Sequence, residues 1–133
     1  MILYRPVGLA ELGLIARAKF QAFPPRLPHQ PIFYPVLNLE YAQQIARDWN
    51  AKQEAFAGFG TRFEVQQSYA EQFDVHRVGS RIHEELWVPA EQLEAFNRHL
   101  IGQIEVVASF YGEQFSGPID PDTGLPESVV PFD

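Results

Sequence analysis

The alternation of hydrophobic and polar residues divides the chain into short strands and amphipathic helices. Residues 2–7 (ILYRPV) predict a first strand whose ladder ends at Pro6, and residues 8–20 predict a helix because apolar side chains recur at helical spacing. Four prolines within residues 21–31 exclude a helix interior there. We therefore expect this segment to run extended over the surface.

A second apolar strand and a longer helix follow. Residues 32–36 (IFYPV) predict a strand, and Asn38 is a favourable N-cap for a helix over residues 39–52. The apolar face of that helix includes Trp49, which we expect to be largely buried. Residues 55–60 (AFAGFG) are interpreted as a loop because two glycines interrupt them.

The second half of the chain is rich in predicted strands. Alternation and short apolar runs predict strands over residues 61–65, 74–80, 82–88 and 102–112. A turn of helix is predicted at 68–73 and a helix at 89–100, and Trp87 is expected to be largely buried. Because strands cluster after the helices, the order predicts a single α+β domain with mixed or mostly antiparallel sheets.

The composition changes from Glu113 onward to proline, glycine and aspartate with little periodicity. We therefore divide the chain into a domain over residues 1–112 and a C-terminal arm over residues 113–133. The arm is expected to be held on the surface by its apolar side chains, namely Ile119, Leu125, Val129 and Phe132.

Length, charge and cysteine content narrow the class of function. A chain of 133 residues fits one domain. Its net charge is −7 and its cations are scattered, which argues against a nucleic-acid partner. We find no bilayer-length apolar run and no basic-then-apolar leader, so we expect no membrane association and a cytoplasmic location. The absence of cysteine excludes disulfides, thiolate metal sites and a cysteine nucleophile.

Two short motifs resemble metal sites but lack required ligands. The stretch HEELW (83–87) begins like a zincin motif, yet tryptophan stands where the second histidine is needed. The stretch DPDTG (120–124) alternates aspartates like a calcium loop, but its glycine comes one position early and no glutamate closes the loop. No metal is therefore expected, and the common phosphate loops and the nucleophile elbow are also missing.

Three groups of polar and aromatic residues are the candidates for chemistry. Arg5 follows Tyr4 on the first strand, and Tyr34 lies on the second. His83 and Glu85 lie two residues apart on a third strand, so their side chains share a face. Taken singly, each has an ordinary interpretation as a solvated cation, a core ring or a surface acid. Their shared order along the chain is the stronger observation.

That order resembles the ADP-ribosyltransferase fold, whose members bind NAD in a cleft between two small sheets. The motifs similar to those of the fold are YR on the first strand, the strand-to-helix step PIFYPVLNLEYAQQIARDW, and HEELWVPAEQLEAFNRHLIGQIEVV. By this resemblance Arg5, beside Tyr4, would bind the phosphates or ribose of NAD, and Tyr34 would stack on nicotinamide. Glu85, beside His83, would bind the nicotinamide ribose and support an oxocarbenium-like transition state.

Residues 2–112 also resemble a family of small bacterial proteins labelled "ADP-ribosylation/crystallin J1", through the strings FPPRLP, QPIFYPVLN, IARDWN and ELWVPAE. The resemblances imply NAD as substrate, transfer of ADP-ribose or cleavage of NAD, and a protein acceptor or partner. Two alternatives are a non-catalytic binding or immunity-like module on the same fold, and a domain for another nucleotide or small anion. A cleft lined by Arg5, Tyr34 and Glu85 favours the enzyme, whereas an Arg5–Glu85 ion pair without a cavity favours the module.

Two neighbouring glutamates compete for the role of functional carboxylate. Both Glu84 and Glu85 precede an apolar run, so the alternation alone does not choose between them. The histidine two residues before Glu85 places a second polar group beside it. We therefore predict that Glu85 is functional and that Glu84 is solvated, and that Arg5, Tyr34 and Glu85 converge on one concave surface.

Overall fold

Antiparallel pairing organises the strands of the protein. The structure is a computed structural model, and it describes residues 1–129. In chain order the helices and strands are β1 (Ile2–Gly8), α1 (Leu9–Arg17), β2 (Ile32–Phe33), α2 (Leu39–Asp48), β3 (Ala57–Val65), α3 (Gln67–Ala70), β4 (Val75–Arg77), β5 (Glu84–Leu86), β6 (Val88–Pro89), α4 (Leu93–Arg98) and β7 (Leu100–Tyr111). Each named strand pair is antiparallel, so the predicted α+β class is confirmed.

A three-stranded sheet in the order β1-β3-β7 forms the centre of the fold. The smaller pairs β2-β6 and β4-β5 continue it sideways through residues 32–37, here called the linking segment. Within that segment Val36 pairs with Tyr4 of β1 on one side and with Glu85 of β5 on the other. The linking segment therefore joins the central sheet to the β4-β5 hairpin.

Pro6 ends the pairing of β1 with the linking segment but not the pairing of β1 with β3. The main chain of Tyr4 exchanges two hydrogen bonds with Val36, at 2.9 and 2.7 Å. In an antiparallel strand, the main-chain N–H and C=O groups of every second residue point to the same edge. Pro6 therefore faces the linking segment, as Tyr4 does, but has no N–H to donate. Pairing with the linking segment stops there, whereas pairing with β3 continues to Gly8. The sequence-based statement that Pro6 ends the ladder is thus correct for one edge only.

The core is built largely from phenylalanine rings. Phe23 packs against Phe63 at 4.8 Å between ring centroids, and Phe33 packs against Phe96 at 5.5 Å. Such tilted and edge-on pairs add a modest attraction to the burial of the rings. This cluster fills the space between the central sheet and the helices α1 and α4.

Two sequence-based assignments are wrong, and the helices expected over residues 8–20, 39–52 and 89–100 are present but shorter. Residues 57–60 are not loop but the start of β3, where Gly58 lies against the main chain of Ala46. Trp49 is 64% exposed, because α2 ends at Asp48 and the backbone then turns away from the apolar face. The helix expected over residues 8–20 ends at Arg17.

The predicted C-terminal arm contributes side chains to the core. Leu125 and Val129 are buried in the main hydrophobic cluster, whereas Ile119 is partly exposed. Phe132, the fourth residue expected to hold the arm, lies outside the described residues. No helix within residues 1–129 combines the length and apolar character needed to cross a membrane.

Candidate functional site

A cavity opens beside Pro6, where β1 and the linking segment separate. Its volume is about 310 Å³. The residues that line it are Arg5, Pro6, Tyr34, Val36, Ile45, Glu85 and Trp87. This volume is near the lower end of small-molecule sites, so the cavity has room for a ring-sized group of a ligand.

The strand register explains why the lining side chains meet. Phe33 opposes Val88 and Val36 opposes Glu85, so in the same register Tyr34 lies opposite Trp87. Residues directly opposite in an antiparallel pair project from the same face, as do residues two apart on one strand. One face of the sheet therefore carries Tyr34, Glu85 and Trp87. Ile45 of α2 also lines the cavity on this face.

Two neutral donors hold the Glu85 carboxylate. The Tyr41 hydroxyl donates to Oε2 at 2.7 Å, and the Trp87 indole Nε1–H donates to Oε1 at 3.1 Å. Burial, the hydrogen bond to Glu85 and the charge of Glu85 raise the pKa of Tyr41, so its hydroxyl keeps its proton. A carboxylate accepts about four hydrogen bonds. Two acceptor positions of Glu85 therefore remain for a ligand.

Arg5 borders the cavity but is anchored elsewhere. It is 8% exposed, and its Nε and Nη2 donate to the Glu11 carboxylate at 2.6 and 3.0 Å. Its guanidinium also lies 4.7 Å from the centre of the Phe33 ring. Strand alternation sends its side chain to the opposite face of β1 from Tyr4, and hence from Glu85. No Arg5–Glu85 ion pair forms.

Strand alternation thus places the side chains of Arg5 and Glu85 on opposite faces, so the predicted convergence of Arg5, Tyr34 and Glu85 on one concave surface is not met for Arg5. Tyr34 and Glu85 present their side chains from the same face, and Arg5 borders the cavity next to Pro6 while its guanidinium stays with Glu11. A cavity is present and Arg5 does not pair with Glu85, but the Arg5 side chain is held by Glu11 on the other face, so neither arrangement expected from the sequence is present in full.

A second cation near the site was missed by sequence analysis. Arg26 donates from Nε to the carbonyl of Ile32 at 3.1 Å. Burial lowers the pKa of Arg26 and the charge of Arg5 lowers it further, whereas Glu11 and Tyr34 act in the opposite sense. The charges of Arg5 and Glu11 thus act on Arg26, but Arg26 makes no ion pair with Glu11 and lines a separate cavity. The sequence feature that could have indicated Arg26 is that it is the one cationic side chain in the proline-rich, otherwise apolar residues 23–28.

His83 and Tyr4 lie outside the cavity lining. The Nδ1 of His83 accepts from the Ser80 N–H at 3.0 Å, which places the ring proton on Nε2, 3.0 Å from Oε1 of Gln44. Its ring packs on Tyr41 at 4.7 Å. Tyr4 packs on the small cluster around Tyr41. Both residues therefore support the wall of the site, and their predicted direct roles in catalysis and NAD binding remain predictions.

Glu84 makes no contact with the cavity. It is half-buried, and its main-chain oxygen accepts the N–H of Leu37 at 3.1 Å. Its carboxylate has no hydrogen-bond partner among residues 1–129. Only Glu85 lines the cavity, but Glu84 is half-buried like Glu85, so the assignment of Glu85 as functional and Glu84 as solvated stays a prediction.

Trp87 also lines the cavity, although the sequence analysis gave it no role in the site. It is half-buried, so the prediction that it is largely buried is not met, and its ring meets Tyr34 edge-on with 5.7 Å between centroids. The two rings form an aromatic corner beside the Glu85 carboxylate. Strand alternation placed Trp87 on the face of Glu85, so this signal was present in the sequence.

Comparison of the chain with protein-family models, with curated proteins and with solved structures finds no match. Within residues 1–129 no three potential metal-binding side chains of His, Cys, Asp or Glu come together. The function is therefore inferred from the geometry of this cavity.

Proposed function

We propose that the protein binds NAD through the cavity of Tyr34, Glu85 and Trp87 and acts as an ADP-ribosyltransferase-like protein that transfers ADP-ribose or cleaves NAD. The observation that supports this proposal is a carboxylate held by two donors, next to two aromatic rings, in a ring-sized cavity. Such a cavity suits the nicotinamide riboside end of the dinucleotide.

The chemistry requires charge stabilisation at the ribose. When the bond between ribose C1′ and the nicotinamide nitrogen breaks, the electron pair leaves with nicotinamide and positive charge develops on the ribose. A preorganised carboxylate aimed at that charge contributes a few kcal/mol, on the order of one donor in an oxyanion hole. An acceptor hydroxyl or amine, or water, then adds to C1′ and releases its proton. Glu85 is the residue proposed for this role, with its free acceptor positions on the ribose hydroxyls.

The remaining parts of NAD would extend beyond the cavity. The nicotinamide ring would pack in the corner of Tyr34 and Trp87, where stacking on aromatic faces is favourable. Arg5 is the cation nearest to the cavity, so the pyrophosphate would extend past the edge of β1 toward it. Arginine donors match phosphate oxygens, and Arg5 would use the donors that Glu11 does not occupy.

One observation favours the alternative, a non-catalytic binding module. Each oxygen of Glu85 already accepts an internal hydrogen bond, from Tyr41 and from Trp87. The same network would fasten β5 to α2 in a protein without activity. The two functions differ in whether nicotinamide is released.

The test is a calorimetric titration with NAD, together with chromatographic detection of free nicotinamide. The parent is expected to bind NAD, and Glu85→Gln to weaken binding by about ten- to a hundredfold, because a hydrogen bond to a charged group is lost. Glu84→Gln is the matched control, with the same charge change one residue away, and should bind like the parent.

Equal melting temperatures of the two variants would exclude unfolding as the cause. If the parent does not bind NAD, or if Glu84→Gln and Glu85→Gln bind equally well, the proposal is wrong. Binding without nicotinamide release would support the non-catalytic module instead.

A further inference from the structure

His76 lies opposite Glu85 in the sheet and stacks on Trp87, which donates to Glu85. It pairs directly opposite Glu85 in the β4-β5 hairpin. Its ring stacks on the indole of Trp87, with 3.9 Å between centroids and 21° between planes. Directly opposite residues share a face of the sheet and have Cβ atoms about 4.5–5.5 Å apart. His76 therefore lies behind the indole that donates to Glu85.

The ring nitrogens of His76 differ from those of His83. Neither nitrogen of His76 has a hydrogen-bond partner among residues 1–129, whereas both nitrogens of His83 are engaged with Ser80 and Gln44. His76 can therefore take up a proton without breaking an internal hydrogen bond. Both imidazoles contact a donor of Glu85, since His76 stacks on Trp87 and His83 packs on Tyr41, but only His76 keeps this freedom.

We propose that His76 is a proton-linked positioning residue for Glu85. Its protonated ring stacks on Trp87 as a cation–π pair and polarises the indole N–H toward the carboxylate. Its positive charge also attracts Glu85 directly across the strand pair. Loss of the proton removes the polarisation of the indole N–H and the charge attraction. The hydrogen bond from Tyr41 is then the stronger of the two that Glu85 accepts. The consequence for NAD rests on the proposed function, but the link between His76 and Glu85 does not.

Glu85 is the charged group best placed to act on His76. Asp74 lies two residues before His76, is exposed, and meets Trp87 through its main-chain oxygen. Arg77 and Glu84 oppose one another at the next position of the hairpin, so they project from the other face. Among these groups only Glu85 shares both the face and the register position of His76.

The test uses the fluorescence of Trp87 in a Trp49→Phe background, where Trp87 is the single tryptophan. A protonated imidazole quenches a stacked indole more than a neutral one. We expect the emission to change between about pH 5 and 8, where histidines change charge. Adding Glu85→Gln should lower the midpoint of the emission change, because an opposite charge directly across the strand pair is removed.

Two variants serve as controls for this titration. His76→Phe keeps the stacked ring but cannot take up the proton, so its profile should be flat. His83→Phe should keep the profile of the parent. A flat parent profile, a profile that survives in His76→Phe, or a midpoint indifferent to Glu85→Gln would overturn the proposal.

Binding of NAD at several pH values separates this proposal from the preceding one. The parent is expected to lose affinity several-fold as pH rises through the fluorescence midpoint, and His76→Phe to bind with constant affinity. A shifted midpoint without NAD binding would support the His76–Glu85 link and reject NAD. Glu85-dependent binding of NAD with no pH dependence in the parent would reject His76 as a positioning residue.

Discussion

Replacing Phe33 with alanine is expected to lower the free energy of unfolding by about 3–5 kcal/mol. The ring is 1% exposed and lies 5.1 Å from Phe23 and 5.5 Å from Phe96, so its removal leaves a cavity that the neighbouring rings cannot fill. It also carries the guanidinium of Arg5 on its face at 4.7 Å, and that contact is lost as well. Urea denaturation at neutral pH measures the loss.

Trp49→Ala is the matched control for Phe33→Ala. Trp49 is larger than Phe33 but is 64% exposed, so its removal should change the stability by less than about 1 kcal/mol. A loss below about 1 kcal/mol for Phe33→Ala, or an equal loss for both variants, would contradict the packing described above.

Local rules in the sequence predicted those elements that depend on local contacts. Asn38 is an example, since its Oδ1 accepts the N–H of Tyr41 at 2.8 Å and begins α2 as predicted. The strands β1 and β7 follow from apolar and alternating runs, and both are present close to their expected bounds. Capping and periodicity act within a few residues, so they can be identified without knowledge of the fold.

The errors arose where distant contacts decide the structure. Gly58 was interpreted as a loop signal, but it lies in β3. The residue there is glycine because the main chain of Ala46 in α2 passes too close for any side chain. Trp49 fits the apolar period of a helix that ends one residue earlier. Neither the approach of α2 to β3 nor the end of α2 can be deduced from local pattern alone.

The same distinction applies to the candidate site. Tyr34 and Glu85 were predicted from their positions on strands, and both line the cavity. Tyr41 and His76 were not predicted, because their contacts with Glu85 and Trp87 depend on how α2 and β4 pair with distant segments. Tyr41 and Glu85 are 44 residues apart along the chain, and no periodic pattern of the sequence relates residues so far apart.

Gly58→Ala is expected to destabilise the protein by at least about 3 kcal/mol, the upper part of the usual range for overpacking. A Cβ at this position would collide with the carbonyl group of Ala46, which is main chain and cannot rotate away. Helix α2 would have to move off β3. Because α2 carries Tyr41 and Ile45, this displacement should also loosen the wall of the cavity.

Gly13→Ala is the control for this prediction, because it makes the same chemical change inside α1, where no atom lies within 4 Å of the added Cβ. Alanine is a better helix former than glycine, so this variant should gain about 0.5–1 kcal/mol. Urea denaturation of both variants gives the two changes, which should differ in sign. If Gly58→Ala were as stable as the parent, α2 would not lie against β3 as described, and the Tyr41–Glu85 hydrogen bond would lose its structural basis.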